Sequence, residues 1–300
     1  MAEDRWIPRT IDEMLEYKPP HYEWLWPDVF ARGEALILIG REGMGKTTLM
    51  RQMGVLSAVG IHPFYFTPLE RELRVLSVDL ENPYEIIMDE SNVGSLTWLH
   101  KRIGRAIPNF KLLHFPEGLH LLEQDDAVYM RKVLDDFRPD LFMLGPLYKA
   151  GVDVSNDREA TLFVEQLDRW QVLYNFGIIL EAHQPQAAIV ADSEGKNRFS
   201  RPIRPIGGST WLRWPEFGRC LFDNGTLYQW REDRAVRKWP KRLWRDSGEW
   251  PWVAQRSCLQ CGKEIPENRE AYCSDACGNA FRQVQHRAQG KTVYVVEGTQ

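Results

Sequence analysis

Residues 40–48 read GREGMGKTT, between the apolar run ALILI (35–39) and the helical-looking LMRQMGVL (49–56). No other stretch constrains the fold as strongly. A strand, a glycine-rich turn and a helix together form the context in which a chain cradles phosphate. Gly40, Gly43 and Gly45 allow the tight turn, and backbone N–H groups of the loop, including those at Lys46, Thr47 and Thr48, face the phosphates. The Lys46 ammonium reaches the outer phosphates, and the Thr47 hydroxyl is a Mg²⁺ ligand. The helix N-terminus adds a field favourable to anions. The pattern predicts a bound nucleoside triphosphate, with ATP and Mg²⁺ as cofactors.

The rest of the chain alternates in a way that suits such a loop. LRVLSVDL (73–80), IPNFKLLHF (107–115), LFMLG (141–145) and IILEA (178–182) read as short core strands. The apolar continuity of 73–80 predicts burial on both faces, as in a parallel sheet. Helices are expected over 46–58, 91–106, 123–137 and 156–174, the last with Asn156 as cap and Glu159 three positions on. Strands alternating with helices predict an α/β fold built from crossover units. The aromatic lead-in HYEWLWPDVF is expected to pack beside the first core strand. WLRWPEFGRCLF and GTLYQW suggest late strands, antiparallel at an edge. The segment 184–209 is polar, basic and rich in Gly and Pro, and reads as a mobile or ligand-ordered loop or as a surface connection.

Three hundred residues accommodate one substantial domain and a small one. A formal charge of −4 argues against wholesale coating of nucleic acid but allows a local basic surface. The start MAEDRWIPRT is acidic and polar, which predicts no secretory leader, and no apolar run reaches bilayer-spanning length. A cytoplasmic protein, bacterial or made by a phage in its host, is expected. The five cysteines are unevenly placed, with Cys220 alone and Cys258, Cys261, Cys273 and Cys277 together. In a reducing compartment this pattern reads as metal binding.

Candidate chemistry gathers at the strand ends. Glu81 follows the second strand, where a carboxylate can orient and polarise an attacking water; the alternative is a solvent-facing acid. Asp79 reads as a weaker candidate or a satisfied core carboxylate. A nucleotide hydrolase commonly carries an acid for Mg²⁺ at the end of a strand such as 141–145. Gly145 stands there instead. Asp140 lies at the opposite end of that strand, and Asp153 and Asp157 are loop alternatives. His183 is a candidate sensor of the terminal phosphate, directly or with Gln184. Glu181 is expected to face core or interface.

GREGMGKTT, VDLENP, DLFMLGPLY, LEAHQ and PIGGSTWLRW occur in the order found in RecA-like ATPases. The chain resembles most the branch of plasmid RepA-type hexameric helicases and phage DnaB-like ATPases, over about residues 20–230. The resemblance implies a RecA-like P-loop NTPase core with a central, mostly parallel sheet. It implies catalytic roles for Lys46, Glu81 and His183. It also implies a homo-oligomer, in the family a hexameric ring, with ATP between subunits and a neighbour's arginine completing the site. Arg213, Arg219 and Arg204 are the candidates, in that order. The segment 184–209 is similar to one that faces DNA in the ring channel, with Lys196, Arg198, Arg201 and Arg204 supplying charge and Phe199 available for stacking. The family usually has an acid where Gly145 stands.

Two segments remain. WREDRAVRKWPKRLWRDSGEWPW (230–252) interleaves tryptophans with seven Lys/Arg in 231–245. It reads equally as a nucleic-acid-binding arm and as a strap docked on the core. CLQCGKEIPENREAYCSDAC (258–277) has the spacing C-x₂-C-x₁₁-C-x₃-C, which suits tetrahedral Zn²⁺ held by Cys258, Cys261, Cys273 and Cys277. It is similar to small zinc modules of DNA-associated proteins. Arg282, His286 and Arg287 follow as phosphate contacts or a wet helix face. The expected organisation is a lead-in over 1–30, an ATPase domain over 31–230, a linker over 231–254, a four-cysteine zinc module over 255–290 and a tail over 291–300.

These readings converge on an ATPase that is a DNA helicase or helicase-like motor in phage or plasmid replication or recombination. Single-stranded DNA and replication proteins are the expected partners. The alternative is a nucleotide-gated DNA-binding or adaptor protein with weak or no hydrolysis. A small-molecule kinase is a third reading, for which no acceptor pocket is identified.

Overall fold

The computed structural model describes residues 8, 10–16, 22–183, 189–191, 197–199, 208–232, 237–245, 250–254, 261, 265–266 and 272–280. A short helix α1 (Ile11–Glu16) precedes a small hairpin of β1 (Trp24–Trp26) and β2 (Phe30–Ala31). The central elements follow: β3 (Ala35–Gly40), α2 (Lys46–Ala58), β4 (Val75–Asp79), α3 (Tyr84–Met88), α4 (Leu96–Ile103), β5 (Phe110–His114) and α5 (Gln124–Phe137). Next come β6 (Leu141–Gly145), α6 (Asp157–Tyr174), β7 (Gly177–His183), β8 (Ile189–Ala191), β9 (Asn197–Phe199), α7 (Thr210–Arg213), β10 (Phe217–Leu221) and β11 (Leu227–Glu232).

Seven strands make one sheet in the order β11-β10-β3-β7-β6-β4-β5. Every pairing is parallel except β10 with β11. This is the α/β architecture expected of a RecA-like core, with the phosphate-loop strand β3 and its neighbour β7 near the middle. The late strands depart from the expectation in one respect. Only β11 is antiparallel; β10 runs parallel to β3, with Phe217 paired to Leu36 and Cys220 to Ile39.

Strand alternation sends side chains to two cores. Ile37, Ile39, Leu144, Ile178 and Leu180 pack with Met130 and Leu134 of α5 and Phe163, Leu167 and Trp170 of α6. Leu36, Leu38, Met143 and Ile179 pack on the other face with Leu49, Met50 and Met53 of α2. That second core also contains Trp26, Phe30, Phe64, Trp239 and Trp252. Helix α2 is therefore covered from both sides, and its polar residues need partners. Gln52 exchanges hydrogen bonds with the Trp252 backbone, at 2.7 and 2.9 Å, and Ser57 accepts one from the Trp26 indole at 2.8 Å.

Local sequence accounts for the helix ends. The Asn156 side chain caps α6 by accepting from the N–H groups of Arg158 and Glu159. Glu159 reaches back to Asn156 Nδ2 and to the Asp153 N–H, a variant of the expected cap. The single helix expected over 91–106 is shorter, because Ser95 caps α4 and Gly104 ends it in a left-handed conformation. Within 184–209, β8 and β9 form a short antiparallel pair separate from the seven-stranded sheet. Among the described residues, no helix is long and apolar enough to cross a membrane.

Candidate nucleotide site

The parallel strands β3, β4, β6 and β7 end on one side of the sheet, where an open α/β sheet binds its ligand. The loop after β3 turns through Gly43 and Gly45, with φ of 75° and 86°, into the first turn of α2. Gly40 is required for a different reason: a Cβ there would lie 2.8 Å from the Leu221 carbonyl oxygen of β10. Lys46 is buried, and its Nζ donates to the Arg41 carbonyl at 3.0 Å and lies 3.8 Å from Glu181 Oε1. Burial lowers the Lys46 pKa, with Glu181 and Glu81 opposing the shift. The Thr47 hydroxyl is 3.0 Å from both Glu181 carboxylate oxygens. The Thr48 methyl lies against Gly94, where a Cβ would come within 2.3 Å of it.

Glu181 is the residue that sequence reading undervalued. It sits on β7, on the α2 face that Ile179 also occupies, and is 3% exposed. It faces the phosphate loop and not merely core. Burial pushes its carboxyl up to about 7, against the pull of Lys46 and the Thr47 hydroxyl. Gly145 at the end of β6 explains how the side chain fits. A Cβ at 145 would come within 2.4 Å of the Glu181 Cβ. Alternation in IILEA sets Glu181 on the face of Ile179, and only the pairing of β7 with β6 sets it against Gly145.

Glu81 lies just beyond β4. Its Oε1 accepts a 2.5 Å hydrogen bond from the Tyr148 hydroxyl, and its Oε2 stands 3.7 Å from His183 Nε2, too far for a hydrogen bond. His183 pairs in register with Gly40, and the Tyr148 ring meets its imidazole edge-on at 5.4 Å. Burial and the Lys46 charge lower the His183 pKa, so the ring is neutral at pH 7. Burial and its bond to Glu81 raise the pKa of the same phenol, so it stays protonated and donates. Tyr148 was not among the sequence candidates; nothing in GPLYK marks it until β6 and β4 are known to be neighbours.

The other carboxylates separate from the site. Asp79 ion-pairs with Arg51 at 3.0 Å and accepts from the Glu81 and Asn82 backbones and the Asn82 amide. It is the satisfied core carboxylate, and its oxygens are occupied. Asp140 lies at the far end of β6, bound by Arg32, Arg71 and the Arg74 N–H. Asp153 closes a turn onto Ser155, and Asp157 fastens the start of α7 through Ser209 and Thr210. Arg213, at the end of α7, is exposed. Arg219 is 1% exposed and bound to Glu232 and the Arg231 carbonyl, which removes it as an arginine reaching a neighbouring subunit. Arg204, Lys196 and Arg201 lie outside the described residues, as do Arg282, His286 and Arg287.

The tryptophan-rich segment lies against the core. Trp239 packs among Trp26, Phe30, Phe64 and Phe217, and Trp252 donates to the Gly45 carbonyl at 3.3 Å. Arg245 donates to the Met44 carbonyl at 3.2 Å. These two tryptophans are buried and unavailable for stacking on bases. Downstream, the sulfurs of Cys261, Cys273 and Cys277 lie 3.5, 3.5 and 3.7 Å apart. A tetrahedral site with Zn–S of about 2.3 Å has edges of roughly 3.8 Å, so the three thiols are spaced to share one ion. Cys258 lies outside the described residues.

A family model described as AAA domain matches residues 6–188. No curated protein matches the chain. Among solved structures, a KaiC-like protein from the hyperthermophilic archaeon Pyrococcus horikoshii OT3 is 14% identical, with a TM-score of 0.47, covering 75% of this chain and 90% of that one.

Proposed function

This chain belongs to the AAA domain family, and from that premise we propose that it binds and hydrolyses ATP as a DNA-directed motor, a helicase or helicase-like ATPase of phage or plasmid replication or recombination. The observation that carries the reading is the convergence of Lys46, Thr47, Glu81 and His183 at one edge of the sheet. Lys46 binds the outer phosphates, and the loop N–H groups with the α2 N-terminus hold the rest of the chain of phosphates. Thr47 is a ligand for Mg²⁺, which when bound neutralises phosphate charge. Glu81 accepts a hydrogen bond from the attacking water and draws its proton, and Tyr148 fixes that carboxylate. Neutral His183 reports the state of the site to the segment that begins at Gln184, where Arg198 and Phe199 of β9 are candidates for DNA contact. Arg213 is the candidate that a neighbouring subunit in a homo-oligomer offers to the phosphates. The thiolates of Cys258, Cys261, Cys273 and Cys277 hold a structural Zn²⁺.

The test is ATP turnover by zinc-loaded protein with and without single-stranded DNA, alongside Lys46→Ala and Glu81→Ala. The motor reading requires DNA-stimulated turnover, lost in both variants. Tight ATP binding with no turnover in the parent instead supports a nucleotide-gated adaptor, the reading that Gly145 in place of an acid favours.

A further inference from the structure

The strand that ends in Gly145 carries no acid at its carboxyl edge, yet a carboxylate stands in the space beside it. It comes from the next strand. Glu181 on β7 leans over Gly145, so closely that a Cβ at 145 would fall 2.4 Å from the Glu181 Cβ, 3.3 Å from its Cα and 3.4 Å from its Cγ. Its two oxygens converge on the Thr47 hydroxyl at 3.0 Å each, and Lys46 Nζ is 3.8 Å away. We propose that Glu181 is the acidic group of the divalent-cation site, holding Mg²⁺ together with Thr47 either directly or through one metal-bound water, and that Gly145 is glycine because this carboxylate replaces one on β6. The inference rests on the nucleotide-site reading above.

Three observations support it. First, the pair is mutually exclusive by geometry: β6 and β7 are adjacent and parallel, and only one of positions 145 and 181 has room for a side chain on this face. Second, the competing carboxylates are engaged. Asp79 is bound to Arg51 and Asn82, and Glu81 to Tyr148. Third, Glu181 is underpaired for its depth. It is 3% exposed, and its charged neighbour Lys46 is beyond hydrogen-bond distance. A buried carboxylate needs close compensation, and a hard cation with oxygen ligands is a chemical match. With Lys46 turned to the phosphates, Glu181 would need another positive partner, and a divalent cation would supply it.

The test measures metal binding directly. Mn²⁺ is titrated by electron paramagnetic resonance into protein saturated with a non-hydrolysable ATP analogue, and nucleotide affinity is measured by calorimetry with Mg²⁺ and with EDTA. Glu181→Gln is expected to weaken Mn²⁺ on the order of 10- to 100-fold and to abolish most of the gain in nucleotide affinity that Mg²⁺ confers. It leaves metal-free nucleotide binding in place. The double change Gly145→Asp with Glu181→Gly returns the acid to β6 and restores Mn²⁺ binding, whereas Gly145→Asp alone collides with Glu181. Unchanged Mn²⁺ affinity in Glu181→Gln overturns the proposal and leaves Glu181 as a residue that only pins Lys46. Should that variant not fold, Glu181→Asp withdraws the charge by one methylene, and its Mn²⁺ affinity decides in the same way. A parent protein that binds no ATP at all, with or without metal, overturns the nucleotide-site reading and this inference with it.

Discussion

Two carboxylates at opposite ends of the sheet are both buried, and the chain treats them in opposite ways. Asp140, entering β6, is saturated: Arg32, both arms of Arg71 and the Arg74 N–H all bind it. Although burial opposes it, the Arg71 hydrogen bond leads in holding its pKa below the usual carboxylate range. Glu181, near the exit of β7, has one hydroxyl and a lysine 3.8 Å away, and burial pushes it up to about 7. A carboxylate that serves only the fold is fully partnered. The underpaired Glu181 beside the phosphate loop is what the proposed cation site requires. On that proposal the edge of the sheet that carries Asp140 serves stability, and the edge that carries Glu181 serves binding.

Substitution breaks this comparison most sharply at Asp140. Asp140→Asn leaves Arg71 without its carboxylate and Arg32 with Glu23 alone, and is expected to cost about 3 kcal/mol in chemical denaturation, with nucleotide affinity per folded molecule unchanged. Glu181→Gln is expected to do the reverse, keeping or raising the melting temperature while weakening the response to Mg²⁺. Loss of stability in both variants, to the same degree, would erase the distinction.

The pH dependence of stability should separate the two ends next. A carboxyl raised from 4.5 to about 7 binds more protons folded than unfolded between those values. Its favourable contribution is complete below pH 4.5 and is lost as pH rises through about 7, a change of roughly 3 kcal/mol before screening and coupling to Lys46. Asp140, lowered, contributes above 3.8, and its contribution is lost as pH falls below that value. In metal-free protein, Glu181→Gln flattens the loss between 4.5 and 7, while Asp140→Asn removes the loss at the acid end. Denaturation midpoints across pH 3–8 read both effects.

The smallest expected effect concerns Tyr148. Tyr148→Phe removes one hydrogen bond to Glu81 and should lower turnover about 5- to 10-fold, the equivalent of roughly 1–1.5 kcal/mol, with ATP affinity unchanged. A change confined to affinity would place Tyr148 outside the water-activating group.

Much of this was legible in the residues. The phosphate loop announces itself because glycines, lysine and threonine at fixed spacing follow an apolar strand. The strands β4, β6 and β7 were legible because buried parallel strands are short apolar runs. Glu181 was not, because a lone acid inside such a run reads as a core or interface residue until strand order sets it against Gly145. Arg219 illustrates the converse: the family resemblance makes it a candidate arginine for a neighbouring subunit's site, and only the pairing of β10 with β11 shows that Glu232 already holds it. The basic tryptophan-rich segment was ambiguous for a physical reason. Arginine and tryptophan serve a nucleic acid and a protein surface through the same stacking and stem burial. Only the burial of Trp239 and Trp252 distinguishes the two.

The most direct measurement is a crystal structure of the protein with Mg²⁺ and a non-hydrolysable ATP analogue. The account predicts one ion beside the outer phosphates, held by Thr47 Oγ1 and by the Glu181 carboxylate directly or across a single water, with Lys46 moved from Glu181 to the phosphates. An ion coordinated through Asp79 or Glu81, with Glu181 still paired to Lys46, would contradict it.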